Sequence, residues 1–345
     1  MIEIDGSYGE GGGQILRTSL SLSALLKEPF RIYSIRKNRK KPGLQPQHLM
    51  AVKACAEISG AKVEGAFKGS SELLFEPGPT RFGRFEFDIG TAGSTSLLFQ
   101  ALLLPLALSG GGSELTLKGG THVPMSPPFD YIERVILPTV NRLGVRCRAE
   151  IEGWGFYPQG GGHVKFFIEP SDCLIHADFP SRGKLNKIKI TSAVCGLPPS
   201  IAERQRDSAL GVLKGFNAET EIKEVHSFAG AKGTFLFILS IYENSLAGFS
   251  AIGERGKRAE LVGAEAAYEF LRHEKAGDYA LDPHLADQIA PYLALSQTPC
   301  SFTTSMITEH LLTNLWVLEK FLKLSYKVEG EKGGPGSVRL HTLTP

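Results

Sequence analysis

The chain of 345 residues is too long for one ordinary hydrophobic core, so we expect two domains or an array of repeats. Its 42% hydrophobic and 21% charged residues are typical of a soluble globular protein. The net charge of +2 excludes a chain that is basic throughout, so any contact with nucleic acid must come from a local patch.

Cysteines and apolar runs indicate where the protein works. The five cysteines are widely spaced and form no CxxC pair, which is typical of free thiols in a reducing compartment. The opening residues MIEIDGSYG have neither the basic nor the apolar region of a secretory signal. The longest apolar run, Leu97–Leu108, is too short to span a bilayer and contains a proline. We therefore expect a cytoplasmic protein that does not bind membranes.

Three stretches of the chain share one pattern of predicted elements. Each has a helix, a strand, a second helix and two final strands that are joined by a glycine-containing turn. Apolar residues at i, i+3 and i+4 predict the helices, and alternation predicts the strands. The helix–strand–helix segments are Gln14–Leu26, Phe30–Arg36 and Gln47–Ser59; Ser94–Leu108, Glu114–Lys118 and Phe129–Leu143; and Leu285–Leu295, Ser301–Thr304 and Thr308–Leu322. A single unit cannot bury both faces of its small sheet, so we expect the three units to pack together.

A segment from about Gly183 to Gly277 fits no copy of this pattern. Its predicted elements are strands Lys187–Thr191, Glu219–His226, Thr234–Tyr242 and Phe249–Ile252, and helices Pro199–Gly215 and Lys257–Lys275. We predict an α/β fold of the α+β type, in which three βαβαββ-like units form a large domain. That domain comprises residues 1–182 and 278–345, and residues 183–277 form a smaller α/β domain inserted in the third unit.

The stretch GSYGEGGG, which starts at Gly6, precedes a predicted helix, as phosphate-binding loops do. It is not a Walker A loop, because no lysine follows the glycines, and its spacing differs from the dinucleotide-binding fingerprint. Two interpretations stay open. The glycines form a strand-to-helix turn, or they let a ligand approach the backbone while Glu10 offers a carboxylate to a metal or a proton.

Five of the six residues Arg36–Lys41 are cations. A solvated loop is the usual location of such a run. Here, however, Pro42 and Gly43 follow at once, and a predicted helix begins near Gln47. Anions bind well beside a helix N-terminus. This position favours contact with a few phosphates, from a nucleotide or from the end of a nucleic acid.

Two of the nine histidines, His48 and His310, begin the second helix of their repeats. A structural cap is the commoner role for a histidine at that position. His310 lies next to Glu309 within TSMITEHLLTN, and a neutral imidazole at a helix N-terminus is available to attack phosphorus. His122, in the loop THVPMSPP, is a further candidate to face a cleft.

Several long motifs occur in the same order as in the RNA 3'-terminal phosphate cyclases. They are DGSYGEGGGQILR (Asp5–Arg17), SIRKNRKKPGLQPQHL (Ser34–Leu49), GSTSLLFQALLLP (Gly93–Pro105), GFYPQGGG (Gly155–Gly162), GERG (Gly253–Gly256), HLADQ (His284–Gln288) and EHLLTNLWVLEKFL (Glu309–Leu322). The chain resembles this family over essentially its whole length. The resemblance implies repeated units with an inserted domain, and conversion of an RNA 3'-terminal phosphate to a 2',3'-cyclic phosphate. It also implies that ATP drives the reaction through histidine-AMP and RNA-3'-pp-5'-A intermediates.

The resemblance also implies site residues. The family's nucleophile falls on His310, and its carboxylate for Mg²⁺ or Mn²⁺ falls on Glu10. Its phosphate-contacting residues fall on Arg17, Arg36, Arg39, Gln47 and Gln100. Its adenylate pocket falls on Pro127, His284, Asp287 and Gln288. Two positions depart from the family pattern: His284 stands where some members have tyrosine, and Trp154 stands where a basic residue is often found.

Three alternatives differ from a cyclase in one feature each. A catalytically inactive, cyclase-like factor in ribosomal RNA processing would lack the nucleophilic histidine. An enolpyruvyl-type transferase on a related repeat fold would not require the motifs EHLLTN or GFYPQGGG. A pure RNA-binding module would not become covalently labelled by ATP.

Overall fold

The computed structural model describes residues 1–296 and 298–342, so the last three residues of the third predicted unit lie outside the described residues. The strands are β1 (Ile2–Asp5), β2 (Phe30–Tyr33), β3 (Lys62–Glu64), β4 (Leu73–Glu76), β5 (Arg84–Asp88), β6 (Ser113–Gly119), β7 (Cys147–Gly153), β8 (Gly162–Ile168), β9 (Leu185–Cys195), β10 (Ala218–Val225), β11 (Gly233–Tyr242), β12 (Leu246–Ile252), β13 (Cys300–Thr304), β14 (Leu324–Gly330) and β15 (Gly336–Thr342). The helices are α1 (Gly13–Leu26), α2 (Pro46–Ser59), α3 (Thr95–Ala107), α4 (Phe129–Tyr131), α5 (Leu137–Arg142), α6 (Ser200–Val212), α7 (Ala259–Ala276), α8 (Pro283–Ala294) and α9 (Glu309–Phe321). The predicted mixed α/β class is confirmed.

Several predicted elements differ in detail from the structure. Strands β9 and β12 are longer than the predicted Lys187–Thr191 and Phe249–Ile252. Strand β2 ends at Tyr33 rather than Arg36, because Ser34 and Arg36 both adopt positive φ angles of 54° and turn the chain. A π-helical stretch, Ile132–Ile136, separates α4 from α5 where one continuous helix was predicted. The chain therefore leaves the first sheet abruptly, and the basic residues Arg36–Lys41 lie on a turn.

Three of the sheets repeat one arrangement of strands. In the order β1-β2-β4-β3, the first pair is parallel and the other two pairs are antiparallel. The order β5-β6-β8-β7 has the same pairing. In the third sheet, β13-β15-β14, an isolated parallel bridge between Phe179 and Phe302 occupies the place of the missing first strand. The three-repeat organisation remains a prediction, which this shared pairing supports.

The fourth sheet, in the order β10-β9-β11-β12, is buried on both faces at its centre. Along β11, Phe235, Phe237 and Leu239 join the core of the large sheets, whereas Leu236 and Ile238 pack with residues of α6 and α7. This two-sided burial explains why the β11 sequence is an unbroken apolar run. On this arrangement we propose that residues 183–277 form an inserted domain on a large domain of residues 1–182 and 278–345.

Helices α1, α3, α8 and α9 bring distant parts of the chain together. Helix α1 packs against α3 and α9, and α9 packs against α8. Helix α3 is buried on most of its surface: eleven of its residues are buried, and all of these except Thr95 and Ser96 are apolar. Within the described residues, none of the helices is long and apolar enough to cross a membrane.

Candidate active site

One cleft is lined by helices α1, α3, α8 and α9. It contains six of the residues that the resemblance implies: Arg17, Gln100, Pro127, Asp287, Gln288 and His310. Residues from all three predicted units therefore meet at a single site. A wider, open groove lies at the other end of α3 beside Gly112, Arg146 and Arg148, away from these side chains.

His310 is the second residue of α9, and the hydroxyl of Thr308 caps this helix by accepting a hydrogen bond from the Leu311 N–H at 3.0 Å. Its Nδ1 lies 2.6 Å from Oε1 of Gln14 on α1 and 2.7 Å from Oε2 of Glu10. The neutral ring carries its proton on Nδ1. This N–H donates to Oε1 of Gln14, because it is not aligned with Oε2 of Glu10. Nε2 then keeps its lone pair, which makes it the nucleophilic nitrogen of the ring.

Burial lowers the pKa of His310 below its ordinary value, and the cations Arg17 and Arg39 act in the same direction. The negative charge of Glu10 opposes this shift. The side chain is nevertheless 45% exposed, so it is accessible to a ligand in the cleft. The imidazole is therefore neutral at pH 7 and is available as a nucleophile.

Glu10, in the glycine loop, lies between Arg39 and His310. Its Oε1 is 3.0 Å from a guanidinium nitrogen of Arg39. Its Oε2 is buried and lies 2.7 Å from Nδ1 of His310, but it accepts no aligned hydrogen bond and is free in that sense. In the part of the chain that the structure describes, no group of three or more His, Cys, Asp or Glu side chains is arranged to hold a metal. Mg²⁺ commonly uses one carboxylate together with substrate phosphates. The free oxygen of Glu10 fits that form of metal site.

The glycines of the loop permit two close approaches. A Cβ at Gly13 would lie 2.5 Å from Nε2 of His48 and 2.9 Å from a nitrogen of Arg17. Gly9 has a φ of +53°, and a Cβ there would lie 2.5 Å from the Thr313 hydroxyl. The first helical turn of α1 has no side-chain cap, so its N–H groups are available to an anion.

Arg17 and Asp287 are two ionisable residues that line the cleft. Burial lowers the pKa of Arg17 to about 10, and Asp287 opposes the shift, so the guanidinium is still cationic at pH 7. Burial and nearby Asp282 raise the pKa of Asp287 well above its ordinary value. Oδ1 of Asp287 is buried without a hydrogen-bond partner. Such an unsatisfied atom is a position where a ligand donor can bind.

The amide side chains of Gln100 and Gln288 also line the cleft. The side-chain nitrogen of Gln100 donates to Oε1 of Gln288, which joins α3 to α8. Pro127 lines the same region in the loop before α4. All three groups are uncharged. The resemblance assigns Pro127 and Gln288 to the adenylate pocket and Gln100 to the phosphates, and the contact between Gln100 and Gln288 is where the two predicted regions would meet.

Five predicted residues are not among those that line the cleft. Glu10 contacts His310 at its edge, and Arg39 pairs with Glu10. The other three make their contacts elsewhere. Arg36 donates to the carbonyls of Lys41 and Gly43, at 2.6 and 3.2 Å, within its own turn. Oε1 of Gln47 accepts from the Ser94 N–H at 3.2 Å and so connects α2 to the start of α3. His284 lies at the start of α8, edge-on to Tyr131. Their roles towards a nucleotide remain predictions.

His122 does not face a cleft, so that expectation is wrong. It is fully buried, its Nε2 lies 3.0 Å from Asp130, and its ring stacks on Trp154 at 4.2 Å. Trp154 is itself 8% exposed and also packs against Phe235 of β11. The departure at Trp154 therefore concerns internal packing rather than a surface that touches RNA.

Two residues of the site were missed from the sequence. Gln14 follows the glycines and orients His310. Asn314, one turn after His310, donates to the Asp287 carbonyl and accepts from the Thr18 hydroxyl, both at 2.8 Å. Both lie inside motifs quoted above, but each has a partner 296 residues away on another helix, His310 for Gln14 and Thr18 for Asn314. Local spacing carries no signal of such contacts.

An imidazole, a carboxylate and guanidinium groups around one cleft are the groups that phosphoryl- and nucleotidyl-transferring enzymes use. Residues 8–328 match the family described as RNA 3'-terminal phosphate cyclase. A protein of that name from Methanopyrus kandleri is 44% identical over 99% of this chain and 98% of its own length. The namesake proteins from Methylococcus capsulatus and Archaeoglobus fulgidus are each 43% identical, over 99% and 96% of this chain and 96% and 99% of their own lengths. The chain belongs to the RNA 3'-terminal phosphate cyclase family and is an enzyme of that family.

Among solved structures, the enolpyruvyl transferase NikO from Streptomyces tendae matches with a TM-score of 0.28 and 17% identity, over 48% of this chain and 31% of that chain. A similarity at this level does not bear on the fold or the activity.

Proposed function

We propose that this protein uses ATP to convert an RNA 3'-terminal phosphate into a 2',3'-cyclic phosphate, through a covalent adenylate on His310. The observation that carries the proposal is the imidazole of His310 in the cleft, with Nδ1 held by Gln14 and Nε2 free. The names of the relatives support the substrate and the product.

In the first step, Nε2 of His310 attacks the α-phosphorus of ATP. A nitrogen–phosphorus bond forms, and the bond to the bridging oxygen breaks, so pyrophosphate leaves with that electron pair. The proton on Nδ1 stays on the ring, and Gln14 stabilises the cationic imidazole that forms. Arg17 offers positive charge to the phosphates and Gln100 offers its amide to them, and the pocket of Pro127, Asp287 and Gln288 receives the adenylate.

Glu10 would hold the metal through its free oxygen. A bound Mg²⁺ or Mn²⁺ neutralises negative charge on the phosphate oxygens of ATP and favours loss of pyrophosphate. Arg39, 3.0 Å from Glu10, fixes the carboxylate in place. Arg36 and Gln47 would meet the outer phosphates, and His284 would pack near the adenine; these are the roles that the resemblance gives them.

In the second step, an oxygen of the RNA 3'-phosphate attacks the phosphorus of the histidine adenylate, and the nitrogen–phosphorus bond breaks. In the third step, the neighbouring 2'-hydroxyl attacks the 3'-phosphorus, AMP leaves, and the hydroxyl proton is released to solvent. Adenylation supplies the leaving group that a phosphate dianion lacks. The last attack is intramolecular, and effective molarities for well-oriented reactions reach about 10⁵ M or more.

The reaction is a ligase-type nucleotidyl transfer, and we place it in the cytoplasm. All five cysteines are free in the structure, which supports a reducing compartment.

The test is incubation with ATP labelled at the α-phosphate and with Mg²⁺ or Mn²⁺, followed by denaturation. We expect an acid-labile, alkali-stable label on the native chain, which His310→Ala abolishes. His341→Ala, at an exposed histidine of β15, is the matched control and is expected to label normally. A label on His310→Ala would refute the assigned nucleophile. An RNA with a 3'-phosphate is then added, and formation of a phosphatase-resistant end tests the cyclisation itself.

A further inference from the structure

Beside His310 lies an aromatic and basic surface that the proposed chemistry does not use. The tyrosine of the glycine loop, Tyr8, stacks on Trp316 of α9 with ring centroids 4.0 Å apart and planes 10° from parallel. Tyr8 is 43% exposed although Trp316 covers one face of its ring. The opposite face of the ring is therefore open to solvent, in a fixed orientation.

The glycine loop places this ring next to the reacting groups. Tyr8 is two residues from Glu10, whose carboxylate contacts His310 and Arg39. The backbone at Tyr8 is held by hydrogen bonds to Asp5 and Gly11, at 3.2 and 2.8 Å. Trp316, on which Tyr8 stacks, follows His310 by six residues on α9, so the Tyr8 ring packs on this helix within two turns of the imidazole.

The basic turn, Arg36–Lys41, lies beside the glycine loop. The Arg36 N–H lies 3.4 Å from the Gly6 carbonyl, and a Cβ at Gly12 would lie 3.1 Å from a nitrogen of Arg39. Lys37, Lys40 and Lys41 extend from this turn and are exposed. Among the described residues, none of these three lysines has a carboxylate within 4.0 Å. The turn therefore presents uncompensated positive charge to an anionic chain.

Base stacking and phosphate contacts from one surface are how proteins bind single-stranded nucleic acid. We propose that the open face of Tyr8 stacks on a base at the 3' end of a single-stranded RNA substrate, and that Lys37, Lys40 and Lys41 contact its upstream phosphates. The inference rests on the proposed function, since it identifies where the RNA lies when its 3'-phosphate reaches His310. The proposed nucleotide pocket includes Gln100 of α3 and Gln288 of α8, whereas Tyr8 packs on α9, so the two ligands would use different elements.

The experiment measures RNA binding without ATP. The probes are short single-stranded RNAs with a 3'-phosphate, each with 2-aminopurine at a different position counted from the 3' end. Fluorescence anisotropy measures RNA binding, and quenching of the 2-aminopurine fluorescence reports stacking on that base. Tyr8→Ala is expected to weaken RNA binding about 5- to 150-fold and to remove quenching near the 3' end, whereas Tyr8→Phe keeps both. Phe82→Ala, at an aromatic side chain that is 58% exposed beside Gly111, is the matched control and is expected to bind RNA like the native chain.

A second measurement does not depend on the fold of the loop variant. Replacing Lys37, Lys40 and Lys41 together by glutamine is expected to reduce the slope of log affinity against log salt by about 2, because each contact with a single strand contributes about 0.7. Native RNA affinity in Tyr8→Ala, loss of affinity in Tyr8→Phe, or an unchanged salt slope overturns the inference. Weaker ATP binding with unchanged RNA binding in Tyr8→Ala also overturns it, because Tyr8 then stacks on adenine. Failure of the proposed function has a separate readout, namely no ATP label on the native chain.

Discussion

Nδ1 of His310 on α9 lies 2.6 Å from Oε1 of Gln14 on α1, although 296 residues separate the two in the sequence. A carbonyl-type oxygen can only accept a hydrogen bond, so this contact places the imidazole proton on Nδ1. The free Nε2 and the orientation of the ring both follow from it. Packing of α1 against α9 is therefore what makes His310 a nucleophile.

Gln14→Ala should slow covalent labelling of His310 by ATP about tenfold, the value of one hydrogen bond that positions the ring. Gln14→Glu keeps an acceptor at the same place and adds negative charge, so it should label faster than the alanine variant. The added charge should also raise the pKa of His310 and move the acid limb of the labelling profile to higher pH. Equal profiles for native and Gln14→Glu proteins would show that Gln14 does not contact the ring in solution.

Glu10→Gln should change how labelling depends on metal concentration. The variant keeps the size of the side chain but loses the negative charge that the free oxygen carries. We expect the concentration of Mg²⁺ or Mn²⁺ for half-maximal labelling to rise about 10- to 100-fold, as for other losses around a metal site. Labelling at a series of metal concentrations measures this half-maximal value. An unchanged titration would mean that Glu10 only pairs with Arg39.

The pH dependence of labelling should follow the lowered pKa of His310. Because the nucleophile must be neutral, labelling should stay constant as the pH falls from 8 to about 6.5, the ordinary histidine pKa. It should decline only at lower pH, where the ring becomes protonated. Labelling rates across this range provide the measurement, and NMR titration of the ring gives an independent value. An inflection above the ordinary pKa would contradict the structure.

Asn314→Ala should reduce stability, because this amide joins α1, α8 and α9 through Thr18 and Asp287. Removing it leaves the buried carbonyl of Asp287 without this donor, at a cost of about 1–3 kcal/mol, and it costs less at the half-buried Thr18 hydroxyl. A double-mutant cycle with Thr18→Val, followed by chemical denaturation, measures the coupling. Additive effects of the two changes would exclude the hydrogen bond as a contributor.

Acid should destabilise the fold through His273, which is 2% exposed, faces Ser305 and has a pKa lowered by burial to about 3. The unfolded chain takes up this proton near pH 6.5, but the folded chain does not until about pH 3. The stability that the neutral form supports is thus complete above pH 6.5 and declines as the pH falls towards 3. His273→Gln should reduce the slope of unfolding free energy against pH in this window by about 1.4 kcal/mol per unit. Denaturation at several pH values measures the slope, and an unchanged slope would refute the assignment.

Much of the fold was predictable because its signals are local. The periodicity of apolar residues located the long helices, and the strands for which it gave bounds, to within a few residues, as for α1 and α9. It gave no bounds for β1 or β5. It did not locate the end of β2, because the positive φ angles at Ser34 and Arg36 fall on residues that rarely adopt them. The π-helical stretch before α5 also has no local sequence signal.

The active site also has features that the sequence predicts and features that it does not. The sequence by itself determined the chemical groups, namely the histidine at the start of α9, the carboxylate in the glycine loop and the run of cations, since residue type and order carry them. Only the tertiary structure decided which groups meet. It buried His122 against Trp154, placed Gln14 on the imidazole of His310 and left one face of Tyr8 open. The physical reason is that these contacts arise from the packing of α1 against α9 and of the fourth sheet against the others, and such packing depends on residues hundreds of positions apart.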